Sequence, residues 1–447
     1  MSKRFRDLLP TTGILLMAVF LSGILIGKGL KTALSAEVET YEELKVFSEV
    51  LSLIQKNYVE DTVSKDLVYG AIRGMLNTLD PHSAFMSPEM YKEIQVDTRG
   101  EFGGLGIQIG MRENRLTVIA PIEDTPASRA GILAGDTIIK VDDEPTKDMT
   151  LMEAVQKMRG KKGTNVTLTI HRENVEEPIP FELTREIIRI DSVKTEMIEE
   201  GIGYIRLTQF QERSGKDMAD ALKEVVKGGA ESLILDLRNN PGGLLNAAIE
   251  VTELFIPAEK TVVSIKGRDP SGEVDEYLSK RQSPYDDLRM IVLVNGGSAS
   301  ASEIVAGALQ DYDRAVVLGT QTFGKGSVQT ILQLTDGSGL RLTTAKYYTP
   351  SGRSIQNVGI TPDILVETLP PGEAGEQAAL LRESDLEGHL ENDTPGAKKG
   401  DKPAAESPEP TRSLPEKESD DPQLQKAIEL LKSVDIFEKS KKLQKAG

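Results

Sequence analysis

The residues Met290-Ile291-Val292-Leu293-Val294 run directly into Asn295-Gly296-Gly297-Ser298-Ala299-Ser300-Ala301-Ser302-Glu303-Ile304. Five consecutive apolar residues bounded by a glycine turn have the length of a strand buried on both faces, and the small-residue stretch after them opens a helix reaching about Tyr312. Similar apolar runs occur at Gly203-Tyr204-Ile205-Arg206-Leu207, Ser232-Leu233-Ile234-Leu235-Asp236-Leu237 and Ala315-Val316-Val317-Leu318. Helical stretches lie between them, at about Ser214 to Lys227 and Asn246 to Phe255. Buried strands alternating with helical crossovers predict an α/β layered core over residues 189–366.

Ser300 falls where that strand gives way to the helix. With Glu303 three residues on, it reads as a capping box, and that is sufficient reason for a serine there. The same position places a hydroxyl beside the unpaired amides and positive dipole end of a helix, which stabilise a developing oxyanion. A nucleophilic serine needs a base, and the chain has only three histidines, His82, His171 and His389, none near this segment in sequence. Thr322-Phe323-Gly324-Lys325-Gly326-Ser327-Val328-Gln329 arrives after the next strand. A lysine flanked by glycines lets other groups crowd its amine, and the loss of water lowers its pKa. Gln329, four residues on, falls on the same face in helix or strand and can orient that amine. Gly-Lys-Gly-Ser by itself is equally a surface turn or a phosphate loop, although the full Walker pattern is missing.

Between about Glu101 and Ile190 short strands alternate with glycine turns. A Gly104-Leu105-Gly106-Ile107 loop leads into a strand, followed by Pro126-Ala127, Ala130-Gly131-Ile132, Gly135-Asp136, an amphipathic helix from Thr150 to Met158 and an alternating strand from Asn165 to Arg172. That order resembles a PDZ domain, here spanning 96–188. Successive amides of such a glycine loop can capture a peptide's terminal carboxylate while the adjacent strand edge pairs with the peptide.

Taken together, Ser298-Ala299-Ser300-Ala301-Ser302-Glu303-Ile304 and Phe323-Gly324-Lys325-Gly326-Ser327-Val328-Gln329, with Lys325 placed 25 residues after Ser300, resemble the carboxyl-terminal processing proteases. Leu79-Asp80-Pro81-His82-Ser83, Leu235-Asp236-Leu237-Arg238-Asn239-Asn240-Pro241-Gly242-Gly243, Tyr348-Thr349-Pro350-Ser351-Gly352-Arg353 and Thr361-Pro362-Asp363 match as well, so the resemblance covers about residues 40 to 366. It implies a serine endopeptidase with a crotonase-like core, Ser300 as nucleophile, Lys325 as base and Gln329 holding Lys325. It further implies an oxyanion hole from the amides of Ala301 and Gly243, and capture of substrate tails by Gly104, Leu105, Gly106 and Ile107. Ser298 and Ser302 are the rival nucleophiles, and His82 reads as satisfying a turn. No metal or organic cofactor is implied. The rival readings are an inert PDZ scaffold and a crotonase-like acyl-CoA enzyme, which needs no nucleophilic serine.

The ends differ from the middle. Lys3, Arg4 and Arg6 precede an uncharged run from Thr11 to Gly27, which as a helix rises roughly 26 Å, close to a bilayer's hydrocarbon thickness. Residues 1–36 therefore read as a membrane anchor or a signal peptide with small residues at Ala33-Leu34-Ser35, and either places the body outside the cytoplasm. Residues 37–95 read as a helical arm packing on the body or on another subunit, with Leu44, Phe47, Val50, Leu51 and Ile54 as its apolar stripe. Residues 367–420 read as a flexible acidic linker, and 421–447 as a terminal helix capped by Asp421-Pro422 and docked on the core. A net charge of −17 argues against a nucleic-acid partner, and the absence of cysteine excludes disulfides and a thiol nucleophile. The expected partners are proteins or peptides with free C-terminal tails, with a homo-oligomer or adaptor possible.

Overall fold

The computed structural model describes residues 41–268, 273–367, 381–392 and 421–446, with side chains of the last helix as far as 434. The anchor or signal segment, residues 1–36, lies outside the described residues. Among those described, no helix is long and apolar enough to cross a membrane.

The chain forms two compact units divided between Leu76 and Asn77. The first contains helices over residues 41–57 and Ser64–Asn77, joined by a bond from Gln55 Nε2 to Ser64 Oγ. Its stripe is amphipathic as read, and Leu44, Phe47, Val50 and Ile54 are exposed. The residues after Leu76, read as part of the same arm, belong to the second unit. Asp80 accepts the amides of His82 and Ser83 in a turn, and Ala84–Met86 then pairs with Gly339–Arg341 as a strand of the catalytic half.

The second unit is built on a six-stranded sheet in the order Val193–Glu199, Ile202–Leu207, Ser232–Asp236, Arg289–Val294, Val316–Gly319, Ile364–Leu365. All neighbours are parallel except the first pair. Strand alternation sends Leu233, Leu235, Val292 and Val294 to one face, where helices Ser214–Lys227, Leu245–Thr252 and Ala301–Asp311 cover them. Ile234, Ile291 and Leu293 point to the other face and meet Leu424, Ala427, Ile428 and Leu431 of the terminal helix. Both faces are therefore buried, which is why these strands read as unbroken apolar runs. Arg238 fixes the terminal helix further: its guanidinium, 1% exposed, binds Asp236 from its own turn and Asp421 at the helix start.

A second sheet joins Ala84–Met86, Gly339–Tyr348, Thr261–Gly267 and Val274–Leu278, with Ser327–Gln333 also paired to Gly339–Tyr348. It carries the lysine segment toward the first sheet. The PDZ-like module has its own core, including Leu105, Val118, Ile132, Ile138, Leu168 and Ile170. It is inserted through a two-stranded ribbon, Glu101–Gly104 against Glu186–Arg189.

Residues 381–392 lie inside the stretch read as a flexible linker, and there the structure differs. Glu383 is fully buried, and the segment is hydrogen-bonded to the loop that carries Lys325. Composition could not show this, because one buried carboxylate and a few backbone bonds hold the segment rather than an apolar face.

Candidate active site

The turn after Arg289–Val294 is shaped by polar bonds. Asn295 Oδ1 accepts the amides of Asn239 and Gly297, at 2.9 and 3.0 Å. Ser298 Oγ donates to the carbonyl of Leu237 and Ser302 Oγ to that of Asn240, each at 2.9 Å. Both of these hydroxyls are fully buried and committed to backbone. Ser300 differs from both: it is partly exposed, its side chain makes no cap hydrogen bond, and Glu303 N donates instead to the Ser300 carbonyl. Only the carboxylate half of the expected capping box forms, from Ser300 N to Glu303 Oε2 at 2.8 Å.

Ser300 has φ 55° and ψ −111°, outside the wells open to ordinary residues. Such a conformation costs of order 1–3 kcal/mol and persists only where surroundings hold it. Glu303 supplies the hold. Its carboxylate, fully buried, takes four donors: Thr322 Oγ1 at 2.6 Å and Gly324 N at 2.7 Å on Oε1, Ser300 N at 2.8 Å and Lys325 N at 2.9 Å on Oε2. One oxygen thus joins the serine turn to the lysine loop. Burial pushes this carboxyl up to about 7, against the four bonds that favour its charged form.

The glycines beside Lys325 admit close neighbours, as the sequence suggested. A Cβ on Gly326 would meet Gln356 N at 2.4 Å, and Gly324 adopts φ +96° against residues 357–359. Burial pushes the Lys325 amine below the usual lysine range, and the Arg341 cation pushes the same way, while Glu383, Glu303 and Asp80 oppose them. Arg341 was not visible in the motif because it arrives on a strand of the second sheet. Gln329 does not meet Lys325 by a hydrogen bond: its Nε2 donates to Ser327 Oγ at 2.8 Å. Lys325 precedes the strand, and a bulge separates Val328 from Gln329, which interrupts a simple strand alternation between them.

The Pro241-Gly242-Gly243 turn packs on the serine. A Cβ on Gly242 would lie 2.9 Å from both Ala301 N and Ser300 Cβ, and Gly243 has φ +144° with Phe210 O at 2.1 Å from its notional Cβ. Glycine is required at both positions by these close approaches. The amides of Ala301 and Gly243 donate to no protein acceptor among the described residues. His82 does satisfy a turn, donating its amide to Asp80 at 2.8 Å, and its ring also meets Glu383. His171 is exposed at the end of its strand.

In the PDZ-like module the carbonyls of Leu105 and Gly106 accept from Ala127 N and Ile122 N, at 3.0 and 2.8 Å. Thr125 Oγ1 packs on Gly106, where φ is +75°. The amides of Leu105 and Gly106 donate to no protein acceptor among the described residues, and Ile107 opens the adjacent strand. No cluster of His, Asp or Glu suited to a metal ion occurs among the described residues.

Comparison with known proteins follows the same division of the chain. Peptidase family S41 matches residues 201–366, the PDZ domain family residues 103–183, and the N-terminal domain of the activating protease CtpB residues 26–90. A carboxy-terminal-processing protease of Bartonella bacilliformis is 44% identical over 93% of this chain and 94% of its own. A carboxyl-terminal-processing protease of Synechocystis is 41% identical over 70% of this chain and 75% of its own. A solved structure of a photosystem II D1 C-terminal processing protease is 31% identical, covering 72% of this chain and 92% of that one, with a TM-score of 0.42. The chain belongs to peptidase family S41 and is a PDZ-containing serine peptidase of the carboxyl-terminal-processing kind.

Proposed function

We propose that Ser300 is the nucleophile, Lys325 the general base, and the amides of Ala301 and Gly243 the oxyanion hole, in an endopeptidase that cuts proteins near a tail held by Gly104, Leu105, Gly106 and Ile107. Lys325 Nζ takes the Ser300 hydroxyl proton as Oγ adds to the peptide carbonyl, and the two amides receive the oxyanion. The ammonium returns that proton to the leaving amine as the C–N bond breaks, leaving an acyl-enzyme. Water, deprotonated by the same amine, releases the new C-terminus. Gln329, the residue expected to hold Lys325, donates to Ser327 Oγ in this structure.

One observation carries this reading: of three serines in the turn, only Ser300 has a hydroxyl not committed to the fold. Ser300→Ala is expected to abolish cleavage of an unstructured protein substrate while retaining tail binding, so that substrates are trapped and identified by mass spectrometry. Full activity in that variant would remove the assignment.

The basic residues Lys3, Arg4 and Arg6 ahead of the apolar run Thr11 to Gly27 support an extracytoplasmic body, tethered to the cytoplasmic membrane or released after signal cleavage. Protease added outside the cytoplasmic membrane is expected to digest it, and survival of the body beside digested external controls would exclude this topology.

A further inference from the structure

Residues 381–392 follow the catalytic sheets in sequence and return to the lysine loop. Glu383 N donates to Phe323 O at 3.2 Å and Arg382 to Thr322 O at 3.3 Å. Leu390 O accepts from Asn357 at 2.8 Å, and Lys346 Nζ donates to Glu391 O at 2.7 Å. At the centre is the Glu383 carboxylate, 0% exposed, with its oxygens 2.7 and 2.9 Å from His82 Nε2 and with Gln356 Nε2 donating to Oε1 at 2.9 Å. Burying a carboxylate is unfavourable unless it is paired and hydrogen-bonded, and a segment that merely tethered the terminal helix would gain nothing from doing so.

Both partners lead to Lys325. Gln356 Oε1 accepts the amide of Gly326, the residue next to the lysine, at 3.1 Å. The His82 carbonyl accepts from Arg341 Nε at 2.9 Å, and Arg341 is the cation facing the amine. We propose, on the reading of Lys325 as base, that Glu383 is a positioning residue of the catalytic site, fixing the lysine loop through Gln356 and the facing arginine through His82. The segment beyond the catalytic core is then a working part of the site.

The charged groups facing Lys325 are Arg341 from the second sheet, Glu303 from the serine helix, Asp80 from the turn before Ala84–Met86, and Glu383. Glu383 favours the ammonium, so removing its charge lets the amine lose its proton at lower pH.

The test uses the full chain. Glu383→Gln keeps the shape and removes the charge, and its rising pH–rate limb is expected at lower pH than wild type. Glu383→Ala removes the clamp as well, and its plateau kcat is expected to be roughly ten- to a hundredfold lower, the effect of losing a buried charge-assisted hydrogen bond that positions a reacting group, with KM within about twofold. A Glu383→Gln limb superimposed on wild type overturns the proposal, as does an activity loss in Glu383→Ala that matches its unfolded fraction at every pH. Should the alanine variant fail to fold, the glutamine profile alone decides. Activity surviving in Lys325→Ala overturns the underlying assignment of the base, whereas an inactive Lys325→Ala beside an unchanged Glu383→Gln overturns the role of Glu383 only.

Discussion

Two glycine turns in this molecule present open backbone amides, one in the PDZ domain at Leu105 and Gly106, the other beside the serine at Gly243 and Ala301. They are held in different ways. The PDZ loop is fixed by its own carbonyls, by the buried Leu105 side chain and by the Thr125 hydroxyl, with no titratable group among these contacts. The serine turn depends on a fully buried carboxylate with four donors and on Asn295, Ser298 and Ser302, and it holds Ser300 at φ 55°. Receiving a carboxylate requires only that amides point the right way, which backbone geometry supplies. Moving a proton between a hydroxyl and an amine requires both to stay in register and one to be stripped of water, which takes charged groups away from solvent. The catalytic turn should therefore fail on single polar substitutions that the PDZ loop, with its different supports, does not feel.

The largest effect follows from Lys325. Lys325→Ala is expected to lower kcat/KM by at least about a thousandfold while tail binding is unchanged. Lys325→Arg should fail as well, because a guanidinium keeps its proton throughout this range. On the proposed role of Lys325 the neutral amine is the active form, and burial and Arg341 lower its pKa, so the rate is expected to rise with pH below the ordinary lysine range. A flat profile, or a Lys325→Ala enzyme that still cleaves, would break the contrast by removing the need for a dehydrated amine.

A smaller effect sharpens it. In Glu303→Gln one acceptor oxygen becomes an NH2 facing two of the four donors. Unsatisfied buried donors cost about 1–3 kcal/mol, and the loss of register between serine and lysine is expected to lower kcat by roughly a hundredfold. In wild type the same logic acts below about pH 7, where Glu303 protonates and one donor must turn away. Thermal unfolding and steady-state kinetics measure both consequences. A Glu303→Gln variant within twofold of wild type in kcat would show that the carboxylate is only a helix cap.

How much of this was legible in the sequence depends on how local the signal is. Ser232–Asp236 and Arg289–Val294 are buried along nearly their whole length, so apolar runs gave them away. Gly339–Tyr348 pairs with three separate strands, is mostly only half-buried, and carries Arg341 and Lys346, so no run or alternation marked it. Ser300 and Lys325 sit in compact motifs. Arg341, Gln356 and Glu383 come one at a time from elements remote in sequence, and nothing beside them indicates where they will land. Asp421 was readable as a helix cap, but its ion pair with Arg238 was not, because the partner lies 183 residues away.

The smallest effect tests the PDZ side of the contrast. If the open amides of Leu105 and Gly106 receive a terminal carboxylate, replacing that carboxylate by an amide removes charge-assisted hydrogen bonds worth roughly 1.5–3 kcal/mol. The loss should fall on KM, with kcat for the captured substrate preserved, because the interaction is the same in the ground and transition states. Gly106→Ala offers the matching change in the protein. Its Cβ would lie 2.2 Å from Thr125 Cβ at a backbone of φ +75°, so the loop must shift and the amides lose their aim. The two perturbations act on one interaction, so applying both should cost little more than the larger alone, whereas additive losses would mean that the loop and the carboxylate do not meet. Equal cleavage of amidated and free-acid substrates would leave the PDZ loop without its ligand and reduce the comparison to two turns that look alike. A fall in kcat on amidation would show instead that tail capture reaches the serine turn, and that the two sites are coupled rather than merely joined.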